Sequence, residues 1–433
     1  MHQLYDTQPP NPPSRAILVG IRLRDNLLHE TEESLQELRQ LTETAGIKVV
    51  CETIQHRNVP NPTYFIGEGK VEELKGVVEE LEADAIIFDE ELSPAQTRNI
   101  ENTLDIATVD RTGLILQVFA QRALTSEARL QVALAQLEYA LPRLTRMWTH
   151  LSRIATRAGS GSGALRGPGE TQLEMDRRWV RRQIAHVKKS LATVEKRRQV
   201  QRQNRSDKIK VSLVGYTNAG KSTLFNTLTG ENVLAENKLF ATLDSTTRRV
   251  QLPDNQTILL SDTVGFINKL PHQLVAAFKA TLEEVTEADM LLHIVDISHP
   301  EAEAQISAVD KVLTEISADD IPMLMVFNKI DQLQKEDQLH ILQTRYKEAI
   351  PISAQRGDGI SDLTQTLAER FASHGAMLDL QIPYKDGKVL DLLYKHGTVL
   401  GTEYAEDAVH VKARLPSRYL KSVSQFTMTP DNV

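Results

Sequence analysis

The chain has 433 residues, long enough for two to four domains. Apolar residues are 41% and charged residues 25%, the balance of a folded chain; the single cysteine, Cys51, excludes a disulfide framework and a cysteine-based zinc site within one chain. The net charge of −8 conceals a cationic block, because Arg143–Lys210 holds 18 Lys and Arg against 5 Asp and Glu, which points to a polyanionic partner for that block alone.

Residues 1–13 are rich in Pro and Asn and read as a disordered tail. They lack the apolar run of a secretory signal, and no stretch reaches the roughly 18 apolar residues of a membrane span, so a cytoplasmic chain with no integral membrane association is expected. From residue 14 to 122 strand and helix patterns alternate. RAILVGIRL, IKVVCETI, TYFIG, DAIIFD and IATVD read as strands. TEESLQELRQLTETAG, KVEELKGVVEELE, Pro94–Leu104 and TGLILQVFAQR read as helices, the first with a Thr31 cap and a Gly46 stop. The pattern predicts a small α/β domain with a largely parallel sheet.

Residues 123–206 follow another rule. Leu130, Leu134, Leu137, Leu141, Leu144, Trp148 and Leu151 recur at alternating intervals of four and three, a heptad seam, with Pro142 placed to kink it. Val180, Ile184, Val187 and Leu191 continue the period in a second helix, and Trp148 and Trp179 fit the seam between the two. Two heptad helices around the glycine-rich stretch Gly159–Gly169 predict a projecting antiparallel hairpin with a flexible tip. Arg177, Arg178, Arg181, Arg182, Lys188, Lys189, Arg197 and Arg198 crowd the second helix, and Arg153, Arg157 and Arg166 surround the tip. These cations suit phosphates of structured RNA, read by shape rather than by base stacking. A solvated basic face and a membrane-surface scaffold are the plainer readings.

The α/β rhythm resumes over residues 207–373, and residues 374–433 read as a small strand–helix–strand–strand–helix module. GYTNAGKS directly follows the strand KVSLV and opens a helix, the setting of a phosphate-binding loop. Gly215, Tyr216, Thr217, Asn218, Ala219 and Gly220 wrap the β-phosphate with backbone N–H groups, Lys221 reaches the β- and γ-phosphates, Ser222 ligates Mg²⁺, and Thr223 follows. DTVG (Asp262, Thr263, Val264, Gly265) ends the next apolar strand; Asp262 holds Mg²⁺ through water and the Gly265 N–H meets the γ-phosphate. NKID (Asn328, Lys329, Ile330, Asp331) makes the nucleotide a guanine one, because the Asp331 carboxylate accepts from guanine N1–H and N2–H₂. Ser353, Ala354 and Gln355 fit the short loop near guanine O6. Between the first two motifs, Phe240, Ala241, Thr242, Leu243 and Asp244 resemble the switch of Obg-like GTPases, with Thr242 completing the Mg²⁺ shell and Thr246 and Thr247 as rivals. Lys221, Thr242 and Gly265 are thus the expected catalytic set.

Phe266 stands where Ras-like enzymes place a water-orienting glutamine, so slow intrinsic hydrolysis is expected until a partner or a monovalent cation positions the water. Asn218 resembles the loop asparagine of potassium-dependent GTPases, which would make that cation K⁺.

Taken with YFIGEGKVEEL, FDEELSPAQTRNIE and RGPGETQLEMDRR, these motifs resemble the HflX GTPases over about residues 16–372. Ser245 departs from the family's usual Pro, and Ala128 and Arg129 from its usual Gly-Lys. The resemblance implies a monomeric, Mg²⁺-dependent enzyme converting GTP to GDP, which binds the 50S ribosomal subunit and its rRNA and splits stalled or stressed 70S ribosomes. The alternative is a ribosome-assembly or rRNA-remodelling GTPase that splits nothing. The implied fold is a P-loop GTPase domain preceded by a small α/β domain with a long helical hairpin and followed by the C-terminal α/β module.

Overall fold

The computed structural model describes residues 13–24, 28–144, 169–203, 208–230, 239–240, 245–254, 256–269, 279–333, 336–372, 376–405, 407–415 and 420–427. The chain divides into two compact units. The first takes Met1–Val200 with two later stretches, Glu236–Asp244 and Val264–Glu283; the second takes Gln201–Ala235, Ser245–Thr263 and Glu284–Val433.

The first unit begins with β1 (Arg15–Arg22), α1 (Leu28–Thr44), β2 (Lys48–His56), α2 (Glu68–Leu81), β3 (Ala85–Phe88), α3 (Pro94–Leu104), β4 (Ala107–Asp110) and α4 (Arg111–Arg122). Its four strands are all parallel in the order β2-β1-β3-β4; the apolar runs of the central β1 and β3 are buried on both faces, while β2 at one edge is half-buried to exposed and β4 at the other is buried at alternate positions. Two local expectations fail. TYFIG is not a strand: the Asn61 side chain accepts from the Thr63 and Tyr64 amides, and Phe65 takes φ +68, so a turn closed by a single Asn61–Phe65 bridge replaces it. Thr31 is not a cap either, because α1 starts at Leu28 and leaves Thr31 buried inside its first turns. The Gly46 stop is as expected, at φ +81.

α5 (Ser126–Ala140) gives way at Pro142 to a short 3₁₀ turn, Leu141–Arg143. α6 (Gly169–Gln203) packs back on it, with Leu134, Leu137 and Leu144 against Val180 and Val187 and with Lys188 paired to Glu138 at 2.9 Å. The heptad seam is therefore real and antiparallel. Trp179 departs from it: Val180 takes the inward position, one residue turns about 100° around the helix, and Trp179 is 49% exposed. Trp148 and the tip Gly159–Gly169 lie outside the described residues, Gly169 excepted.

A buried carboxylate fixes the root of this helix pair. Asp110 Oδ1 accepts from the Gly113 amide at 2.8 Å and the Tyr139 hydroxyl at 2.7 Å; its Oδ2 accepts from the Leu92 amide and Arg143 Nη2, both at 3.1 Å. Burial, with the Asp110 charge beside it, pushes the Tyr139 hydroxyl far above the ordinary phenol range, so it remains a donor.

The second unit carries β5 (Ile209–Gly215), α7 (Lys221–Thr229), β6 (Thr246–Gln251), β7 (Thr257–Asp262), the end of α8 (Lys279–Thr286), β8 (Met290–Asp296), α9 (Ala302–Glu315), β9 (Met323–Asn328), α10 (Glu336–Arg345), β10 (Ile350–Pro351) and α11 (Ile360–Ala372). Six strands run in the order β10-β9-β8-β5-β7-β6, all parallel except β6. That edge strand falls on TTRRVQ, so Thr246 and Thr247, the rivals to Thr242, are strand residues. Beyond it lie β11 (Ala376–Pro383), α12 (Gly387–His396), β12 (Thr398–Tyr404), β13 (Ala408–Leu415) and the short α13 (Leu420–Val423). Here the strand–helix–strand–strand–helix order holds, as an antiparallel β11-β13-β12 sheet with its own small core. The fold class read from the sequence is thus the one observed.

Candidate nucleotide-binding site

Three loops at the carboxyl ends of β5, β7 and β9 meet in the second unit, where open α/β sheets bind ligands. The loop Gly215–Gly220 is forced into its curl by close contacts. Gly215 takes φ +150, and a Cβ there would lie 2.3 Å from the Ile294 carbonyl oxygen. Gly220 takes φ +93, and a Cβ there would lie 2.2 Å from Asn328 Nδ2. Between them Asn218 is exposed at φ +62, a conformation asparagine tolerates. Tyr216, Thr217 and Ala219 are buried.

Lys221 is 5% exposed and donates to the Gly215 and Tyr216 carbonyls at 3.1 and 2.7 Å. Burial pushes its ammonium down to about 8, against the opposing pull of the Asp262 carboxylate. The Ser222 hydroxyl donates to Asp262 Oδ2 at 2.7 Å, so a hydroxyl and a fully buried carboxylate converge in front of the loop. Two hard oxygen donors beside a phosphate loop suit Mg²⁺. Thr263, next in the chain, turns away and donates to the Leu213 carbonyl at 2.5 Å.

The base end is built by Asn328. Its Nδ2 donates to the Ala219 carbonyl at 2.8 Å, and its Oδ1 accepts from the Ala354 amide at 2.9 Å. One side chain thereby joins the phosphate loop to Ser353–Gln355, and the Thr227 hydroxyl adds a bond to the Ala354 carbonyl at 2.8 Å. Lys329 stands at φ +65 and pairs with Asp296 at 2.6 Å. Ile330 and Asp331 form a 3₁₀ turn, and the Asp331 side chain is 9% exposed with Arg356 Nε at 4.0 Å. Asp296 belongs to no nucleotide motif, and its only trace in the sequence is an acid ending an apolar strand; in the structure the Ser298 amide and hydroxyl donate to it.

The remaining predicted residues fall elsewhere. Phe240, Val264, Gly265 and Phe266 group with the first unit, where Phe240 stacks edge-on against Phe119 at 4.5 Å and Phe266 is buried. Ala241, Thr242, Leu243 and Asp244 lie outside the described residues. Thr246 and Thr247 lie on β6, and the Thr247 hydroxyl is bonded to Ser261 and Glu284. On α6, Arg178, Arg181, Arg182, Lys188 and Lys189 are exposed and Arg177 is half-buried. Arg178 and Lys188 reach Glu174 and Glu138. Arg197 and Arg198 lie on α6, and Arg153, Arg157 and Arg166 lie outside the described residues.

Behind the phosphate loop, His293 on β8 is buried, and among the described residues its Nδ1 has no hydrogen-bond partner. Burial pushes it down to about 4, with Lys221 adding to the shift. An unfolded histidine binds its proton near 6.5, so between pH 6.5 and 4 the unfolded chain holds the extra proton and stability falls as pH falls. Removing the group by His293→Met should flatten that decline, which is worth up to about 3 kcal/mol. Denaturant titrations at pH 7 and pH 4.5 check this; equal declines in both proteins would contradict it.

A glycine-bounded phosphate loop, a DTVG strand end and an NKID turn on a six-stranded sheet define a guanine-nucleotide-binding P-loop GTPase. Family models agree over most of the length: "GTP-binding GTPase N-terminal" matches residues 32–120, "GTP-binding GTPase Middle Region" 122–205 and "50S ribosome-binding GTPase" 210–329. The GTPase HflX of Lacrimispora saccharolytica is 44% identical over 413 residues, covering 95% of each chain. That of Escherichia coli K12 is 46% identical over 406 residues, covering 93% of each. A GTP-binding protein of Sulfolobus solfataricus in complex with GDP is a similar solved structure, at TM-score 0.44 and 26% identity over 82% of this chain and 98% of that one. The chain belongs to the HflX family of GTPases.

Proposed function

We propose that this GTPase is a nucleotide-switched factor that binds the 50S ribosomal subunit and splits stalled or stressed 70S ribosomes. The observation that carries this reading is the exposed basic face of α6, with Arg178, Arg181, Arg182, Lys188 and Lys189 on a helix of a GTP-binding chain. Such a face binds a phosphate backbone with salt-dependent, sequence-tolerant affinity. Arg153, Arg157 and Arg166 at the tip, with Arg177, Arg197 and Arg198, would extend it along rRNA. The matched family model and its relatives, described as ribosome-binding and as HflX GTPases, support the same partner.

In the nucleotide cycle, the backbone of Gly215–Gly220 cradles the β-phosphate and Lys221 offsets charge on the β- and γ-phosphates. Ser222 and Thr242 would hold Mg²⁺ directly and Asp262 through water; the ion, when bound, neutralises phosphate charge. The Gly265 N–H meets the γ-phosphate, and Asp331 with Ser353, Ala354 and Gln355 reads the guanine. Phe266 has no polar atom to orient water, so turnover waits on the ribosome or on K⁺ held beside Asn218. Domains 14–122, 123–206, 207–373 and 374–433 carry this work, in a cytoplasmic monomer. Among the described residues, no helix is long and apolar enough to cross a membrane.

Sedimentation of 70S particles with the protein and a non-hydrolysable GTP analogue tests the reading. Separation into subunits, lost when 157–169 is shortened, is expected, together with faster GTP turnover on 50S subunits. Intact 70S particles would instead favour an assembly or rRNA-remodelling role.

A further inference from the structure

Helix α6, in the first unit, presents two opposite stripes. Val180, Ile184, Val187 and Leu191 form the seam that packs on α5. Met175, Arg178, Trp179, Arg182, His186 and Lys189 follow at steps of three, one, three, four and three, which keeps them on one face. At about 100° per residue, the centre of that face lies roughly 160° around the helix from the seam. All six residues are exposed, Met175 by 63% and Trp179 by 49%. The seam does not draw on them, since Val180 is 5% exposed and Val187 is fully buried.

A single apolar residue on a surface is ordinary. Here two of them stand one turn apart inside a cationic stripe. Arg178 and Arg182 bracket Trp179, and four residues of helix separate them by about 6 Å along the axis. That is on the scale of the gap between successive phosphates of a nucleic-acid strand. Glu174 reaches Arg178 at 3.3 Å, but both side chains are mostly in water, so the pair is weak and can exchange for a phosphate. The face discriminates between partners. A partner helix would need apolar anchors at i, i+3, i+4 and i+7, and Arg178 and Arg182 occupy two of those places. A membrane surface would need a broader apolar stripe than two side chains. A nucleotide needs one flat apolar plate with cations beside it, which is what Arg178, Trp179 and Arg182 supply.

We propose that Trp179 is a stacking platform for an unpaired base of RNA, with Arg178 and Arg182 holding the phosphates on either side. The cations give attachment that is salt-dependent and indifferent to sequence. The indole adds a contact that salt does not screen and that a base inside a duplex cannot make. The helix therefore prefers unpaired to paired RNA, a selectivity beyond the shape and phosphate reading of its cations alone. The inference rests on the reading of α6 as an RNA-binding face.

The test follows tryptophan emission and the anisotropy of a labelled single-stranded oligouridylate on the full chain, with a blunt RNA duplex and 50S subunits in parallel. The single strand should quench emission. Trp179→Phe should remove that quench and keep most of the affinity, the chain's other tryptophan, Trp148, being unchanged. Trp179→Ala should weaken single-strand binding about tenfold and leave duplex binding, melting temperature and the slope of log affinity against log salt unchanged. Arg182→Ala should instead lower that slope by about 0.7. Unchanged single-strand affinity in Trp179→Ala overturns the inference, and so does equal weakening of single-strand and duplex binding. Vesicles of phosphatidylcholine and phosphatidylserine that change Trp179 emission more than RNA does overturn it in favour of a membrane surface. If the paired variant Arg178→Ala with Arg182→Ala leaves 50S binding unchanged, the RNA reading of α6 fails and takes the inference with it. Weaker 50S binding in that variant, without a Trp179 effect on the single strand, overturns the stacking alone.

Discussion

Asp331→Asn will move the enzyme from guanosine to xanthosine triphosphate, changing the ratio of kcat/KM values by on the order of 10⁴-fold. The carboxylate is 9% exposed, so water cannot take over its hydrogen bonds. Guanine brings two donors to it. An asparagine there turns one acceptor into a donor, which faces the guanine 2-amino group donor to donor. Xanthine carries a carbonyl oxygen at that position and accepts. The wild-type chain rejects xanthine for the mirror-image reason, two acceptors facing each other across a nearly dry turn. Competition between the two triphosphates in steady-state turnover measures the exchange; an asparagine variant that keeps its preference for GTP would remove Asp331 from the base site.

Lys221→Met should have two effects of opposite sign. Hydrolysis should fall about 10²–10³-fold, the usual cost of removing one preorganised donor from developing charge. Stability should rise by up to about 3 kcal/mol near pH 7, because the fold holds this ammonium in a site that pushes it down to about 8. Two carbonyl partners, Gly215 and Tyr216, offset part of the burial and reduce the gain. The fold tolerates an unfavourable group where the reaction needs one, a common pattern at active sites. Single-turnover hydrolysis and a denaturant curve on one preparation check both halves. A loss of stability in the methionine variant would show that the carbonyl bonds outweigh burial.

Much of this arrangement is legible along the chain, because the chemistry lies in short contiguous motifs on regular elements. KVSLV sets Val211, Leu213 and Val214 directly ahead of the loop, at strand length, so a strand is the natural reading, and the glycines after it mark a backbone that L-residues rarely adopt. The heptad leucines reveal α5 and α6 in the same way. What escapes the sequence is set by contacts between distant residues. TTRRVQ has no apolar period, and only pairing with β7 makes it a strand. TYFIG looks apolar enough for a strand, yet Asn61 two positions earlier captures its amides. Trp179 suits a seam by composition, and one residue of helical rotation takes it out. Glu284 reads as one more acid on a surface helix, since nothing local announces hydroxyls 37 and 23 residues away.

The Asn328 amide has a bearing on any redesign of this enzyme. Because it grips the Ala219 carbonyl and the Ala354 amide at once, selectivity for the base and grip on the phosphates share a single mechanical part. Orthogonal nucleotide pairs should therefore be engineered at Asp331, on the far side of that part, while changes at Asn328 or at Gly220 beneath it would blunt both properties together.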